Sequence, residues 1–111
     1  MTLVDLEPQF LKLKTLDVDT GAQIVDRLED ADGIWFSCPK CTQDLGTRVG
    51  AHSVICWRPR VPQTITPKPG RWEFSGTGMA DLTLRAGSSS ILLTSGCRAH
   101  FYVEAGNIRF A

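Results

Sequence analysis

Gly33-Ile34-Trp35-Phe36-Ser37-Cys38-Pro39-Lys40-Cys41 joins two signals in one run of the chain. The apolar and aromatic trio Ile34-Trp35-Phe36 has strand composition, and it delivers Cys38 into a Pro39-Lys40 turn that brings Cys41 back beside it. The complement of this C-x2-C pair lies far downstream, in Cys97-Arg98-Ala99-His100. Together the two pairs offer three thiolates and one imidazole, the soft donor set of a tetrahedral Zn²⁺ site. Cys38, Cys41, Cys97 and His100 are therefore the expected zinc ligands. The interval from Cys41 to Cys97 is much longer than in a compact zinc finger, and closing such a loop costs on the order of 3–4 kcal/mol of chain entropy. Most of a domain has to fold between the two halves of the site.

Other readings of the cysteines are weaker. Disulfides are one, but the start Met1-Thr2-Leu3-Val4-Asp5 lacks the basic and apolar regions of a signal peptide. A soluble, cytoplasmic protein is expected, where disulfides rarely persist. Cys-Pro-x-Cys can also be a redox pair, which wants a helix starting at the first cysteine in a βαβ setting. Thr42 to Gly50 reads as a poor helix, so that reading is set aside. The zinc deaminase pattern is absent in both order and catalytic Glu.

Outward from this run, short strands are expected on both sides. Leu11-Lys12-Leu13-Lys14 alternates with one wet face, and Pro8 confines its beginning to an edge or an entry. Ile24, Leu28 and Ala31 at i, i+4 and i+7 behind Asp19 or Thr20 predict one short N-terminal helix stopped by Gly33. Val54-Ile55-Cys56-Trp57, Trp72-Glu73-Phe74, Leu82-Thr83-Leu84 and Ile91-Leu92-Leu93 read as strands. A final hairpin of Phe101-Tyr102-Val103 and Ile108-Arg109-Phe110 turns at Glu104 to Asn107. Between them Arg58 to Gly70 holds four prolines and is a long, basic surface loop. The fold class is mainly β: a small antiparallel domain, sandwich- or barrel-like, with a zinc-ribbon-like site and a single unit over residues 1–111.

Charge narrows the partners. The formal net charge is zero, which argues against a dedicated nucleic-acid binder. Residues 1–33 nonetheless hold eight acidic and three basic side chains, and residues 34–111 hold four and nine. The simplest expectation is that the two parts attract each other within the fold. The alternative is an anion-binding face built from Trp57, Arg58, Arg60, Lys68 and Arg71. No apolar run approaches the ~20 residues that span a bilayer.

Several motifs point to a family. Phe36-Ser-Cys-Pro-Lys-Cys41, His52 to Trp57, Trp72-Glu-Phe-Ser-Gly76, Asp81-Leu-Thr-Leu84, Ser90-Ile91 and Cys97-Arg-Ala-His-Phe101 resemble a family of small proteins of bacteria and their phages. That family is defined as a domain of unknown function. The resemblance implies a small β domain with zinc at Cys38, Cys41, Cys97 and His100, and it carries no activity over. Where relatives tend to have a proline before Ser-Ile, this chain has Ser89.

Of the remaining reactive groups, Cys56 reads as a buried space-filler. His52 reads as a turn residue or as a replacement or outer-shell metal ligand. Ser88-Ser89-Ser90 reads as a polar turn, and Asp44, Asp81 and Glu104 have no positional claim to act as a base. A closed set of three Cys and one His leaves no position for water, so the zinc is expected to be structural. The leading expectation is a non-catalytic accessory protein whose partner is another protein. Its alternatives are a zinc-dependent hydrolase using His52 or a metal-bound water, and a nucleic-acid module using loop 58–71.

Overall fold

The computed structural model of the chain describes residues 1–14, 22–47, 50–65, 70–85, 91–92 and 99–110. The fold is mainly β. Strands β1 (Gln9–Leu13), β2 (Ala22–Val25), β3 (Gly33–Ser37) and β4 (Ser53–Trp57) form an antiparallel sheet in the order β2-β1-β3-β4. Strands β5 (Glu73–Ser75) and β6 (Thr83–Arg85) pair with each other, and β7 (Ile91–Leu92), β8 (His100–Glu104) and β9 (Asn107–Phe110) make a third antiparallel sheet.

The period-2 alternation of β3 sets the core. Ile34 and Phe36 point inward and are fully buried, while Trp35 between them is exposed. Register continues this inner face across the sheet, with Phe10 opposite Ile34, Cys56 opposite Ile34 and Val54 opposite Phe36. The same cluster takes in Leu82, Leu84, Ile91, Phe101, Val103 and Ile108, so one core joins all three sheets. Phe36 and Phe101 meet edge to face with centroids 6.1 Å apart. Each large side chain buried this way contributes about 1.5–3 kcal/mol. Leu3 and Leu6 close the same cluster from the N-terminal end.

The outer face of the four-stranded sheet is covered at one end. Leu11, Leu13 and Trp57 pack with Val61 and Ile65 of the connection after β4. Arg71 organises that connection by donating to the carbonyls of Val61, Pro62 and Ile65. Arg58 donates to the carbonyls of Ala31 (2.7 Å) and Leu28 (2.6 Å). Arg60 reaches Asp32 Oδ1 at 2.7 Å, and the other carboxylate oxygen accepts the Leu13 N–H at 2.8 Å. The basic connection thus clamps the acidic N-terminal part, as the charge asymmetry predicts. Burial holds Arg58 and Arg71 below the ordinary guanidinium value, with Arg60 adding to the effect on Arg58. These three guanidinium groups serve the chain's own carbonyls and Asp32; Lys68 lies outside the described residues.

The helix is not where periodicity places it. Ala22–Val25 is strand β2, paired along its whole length with β1, and only a short 3-10 turn follows at Leu28–Asp30. Ile24 is exposed, so the apolar spacing that suggested a helix was not a burial signal. The β-branched pair Ile24-Val25 suits the free edge of β1. The α-helix among the described residues is α1 (Pro39–Leu45), immediately after Cys38. Pro39 at its first position needs no N–H partner, Lys40 pairs with Asp44 one turn on at 2.8 Å, and Gly46 stops it in the left-handed region.

Candidate functional site

The β3–α1–β4 connection builds a compact donor cluster. Cys38 ends β3 and stands at the N-terminal cap of α1, Cys41 follows in the first turn, and His52 precedes β4. The sulfurs of Cys38 and Cys41 and a ring nitrogen of His52 all lie within 4.8 Å of one another. Register explains the third member. Ser37 pairs with Ser53, which sets residues 38 and 52 opposite each other, and the Cys38 N–H donates to the His52 carbonyl at 2.8 Å. Thr42 N–H bonds the Cys38 carbonyl at 3.0 Å and locks the cysteine turn against the helix.

The cluster suits a soft divalent ion. Tetrahedral zinc with bonds of ~2.0–2.3 Å holds its ligand atoms roughly 3.5–3.8 Å apart, so a spread below 4.8 Å needs only small side-chain adjustment. Cys38 is buried, Cys41 half-buried and His52 exposed, so the cluster opens toward solvent on its imidazole side. Thr42 Oγ1, next to Cys41 in the chain, is buried without a hydrogen-bond partner among the described residues. A helix does start at Cys38, as a redox motif would want, but β3 and β4 on either side are antiparallel rather than a βαβ unit.

Only one of the two downstream members of the expected ligand set lies among the described residues. Cys97 lies outside the described residues. His100 opens β8 with its ring exposed, and it stacks on Tyr102 at 6.2 Å and 27°. Its outward face continues through Tyr102 and Glu104, with Arg109 directly opposite Tyr102 on β9. The Arg109 guanidinium lies 4.2 Å from the Tyr102 centroid and 2.7 Å from Glu104 Oε1. A cleft of about 410 Å³ bordered by Thr83, Leu84, Arg85, Glu104 and Ala105 opens at the Glu104 end of this row.

Other candidates resolve into structural roles. Cys56 is fully buried in the core, and burial pushes its thiol far up. The Asp81 carboxylate accepts from Thr77 N–H, Thr77 Oγ1 and Gly78 N–H, and these bonds hold it below the usual carboxylate range. Asp44 and Glu104 are paired with Lys40 and Arg109. Trp57 is buried and Trp72 packs against the core, whereas Trp35 is exposed. Ser88, Ser89 and Ser90 lie outside the described residues.

Fold and site together define a small antiparallel β protein carrying a Cys2His donor cluster at one strand-to-helix corner. Residues 10–111 match the model of a family described as bacterial ubiquitination-like system serine protease (BubE), and the chain belongs to that family. The family is bacterial, in keeping with the resemblance read from the motifs. No curated protein and no solved structure matches the chain. No helix among the described residues is long and apolar enough to cross a membrane.

Proposed function

We propose that the chain is a small serine peptidase that acts on a protein partner within a bacterial ubiquitination-like system, on a β scaffold clamped by structural zinc. The observation that carries this reading is the family match across residues 10–111. A serine peptidase needs a hydroxyl nucleophile and a base for its proton. The chain has two histidines. His52 sits against two thiols, where its lone pair goes to a metal; His100 is exposed, with Tyr102 as its ring partner among the described residues. His100 is therefore assigned as the base. Ser90 is assigned as the nucleophile. It directly precedes β7, the strand that pairs with β8 and sets Leu92 opposite His100. In this role His100 takes the Oγ proton as the oxygen attacks the peptide carbonyl, then gives it to the leaving amine.

Zinc is assigned to Cys38, Cys41 and His52 with Cys97 as the fourth ligand, in place of His100. Bound there, it supplies a cross-link and no activated water, because four protein ligands fill its coordination. The accessory character expected from the sequence then belongs to the metal alone. The test is a fluorophosphonate probe with intact-mass and peptide analysis. One adduct at Ser90, absent in Ser90→Ala and His100→Ala and retained after brief chelation, supports the reading. Peptidase activity that chelation abolishes, with no adduct, points to zinc hydrolysis. Neither adduct nor cleavage returns the chain to a non-catalytic accessory role.

A further inference from the structure

We propose that Tyr102 is a positioning residue for His100, and that Arg109 and Glu104 brace it. The inference rests on the assignment of His100 as the base. An exposed histidine on a strand has several side-chain rotamers open to it, and a general base works only when its ring nitrogen is held toward the hydroxyl. Most catalytic histidines are oriented by a hydrogen bond to the second ring nitrogen. Among the described residues His100 has none, and its ring stacks with that of Tyr102, 27° from parallel with centroids 6.2 Å apart. Stacking selects the rotamers that lie over Tyr102 and, among the described residues, leaves both ring nitrogens without a hydrogen bond.

Tyr102 is in turn held from two directions. It stands directly opposite Arg109 in the β8–β9 register, and the guanidinium covers its ring at 4.2 Å. Glu104, two residues along on the same face, fixes that guanidinium through a 2.7 Å ion pair. The Glu104 and Arg109 side chains are each more than half exposed, so the pair adds little stability by itself. Its consequence is geometric. The chain Glu104–Arg109–Tyr102–His100 carries order from a rigid hairpin, turned at Ala105-Gly106, to the imidazole at its open end. Phe101 and Val103, alternating with these residues on β8, are fully buried, so the strand beneath the row is itself anchored.

The experiment measures fluorophosphonate labelling, in which Ser90 Oγ bonds to phosphorus, fluoride leaves and His100 takes the proton. Rate at saturating probe is separated from the half-saturating probe concentration. Tyr102→Leu is expected to label about 10- to 100-fold more slowly at saturation, with half-saturation changed less than about twofold. Tyr102→Phe, which keeps the stacking ring, should stay within about threefold of wild type. Arg109→Met, a second variant in case the first misfolds, should fall between them. The His100 imidazole proton signals, with His52 as internal reference, should lose their ring-current shift in Tyr102→Leu and keep it in Tyr102→Phe. Labelling of Tyr102→Leu at the wild-type rate overturns the positioning role and leaves the peptidase reading standing. No labelling of the wild type at Ser90 overturns both, even where the ring-current shift is present.

Discussion

At the scale of single residues, the donor cluster and Asp81 yield separable expectations. Cys38→Ser or His52→Ala should abolish the zinc binding proposed for this cluster, because each removes one of the assigned ligands and such binding supplies roughly 10–16 kcal/mol in small zinc peptides. Cys56→Ser should retain the metal, since that thiol lies in the core and outside the cluster. A colorimetric zinc assay on the three purified variants checks this, and equal zinc in all three refutes the site. Asp81 tests pH dependence. Its folded carboxylate is held below the ordinary aspartate range, so it contributes stability that is present above that range and lost as pH falls through the folded value. Asp81→Asn should lower Tm across the neutral range, where the wild type has this contribution, and flatten the fall in Tm below about pH 4.

Secondary elements raise the question of which contacts the backbone tolerates. A Cβ on Gly106 would lie 1.9 Å from the Ala80 carbonyl oxygen, at a φ of +78°. At Gly46, which ends α1 with φ +71°, a Cβ would meet nothing within 4 Å among the described residues. Gly46→Ala should therefore cost only the left-handed strain, about 1 kcal/mol, and Gly106→Ala at least twice that. Equal Tm losses would mean that the β8–β9 turn yields freely. The clamp between the basic connection and β1 makes a similar case. Asp32 is buried and accepts from Leu13 and Arg60, so Asp32→Ala should cost about 2–3 kcal/mol by denaturant melt. Half of the Arg60 side chain is exposed, which keeps the value below that of a fully buried pair.

On the scale of the whole molecule, one apolar cluster spans the three sheets while the donor cluster sits at a single corner. Metal removal should then act locally. Chelation is expected to speed amide exchange in residues 37–45 and at Ser53, and to leave the interior amides of Phe10, Ile34 and Val103 protected. Uniform loss of protection would instead make the ion an obligate part of folding. If Cys97 is the fourth ligand, faster exchange should extend to the start of β8 as well.

Strand order along the chain was legible without coordinates, because a strand announces itself in four or five neighbouring residues. The trio Ile34-Trp35-Phe36, the run Val54 to Trp57 and the hairpin from Phe101 to Phe110 all fall in strands that cover them almost residue for residue. The C-x2-C pair was legible for the same reason. What sequence could not supply depended on partners distant along the chain. Ala22–Val25 became a strand because β1 offered a free edge, and the residues after Cys38 became a helix that Pro39 starts and Gly46 ends. Arg58, Arg60 and Arg71 bind the chain itself because backbone carbonyls and Asp32 lie within their reach. The placing of His52 was likewise tertiary. His52 reaches Cys38 and Cys41 through antiparallel register, a property of two strands at once, and no spacing within either strand encodes it.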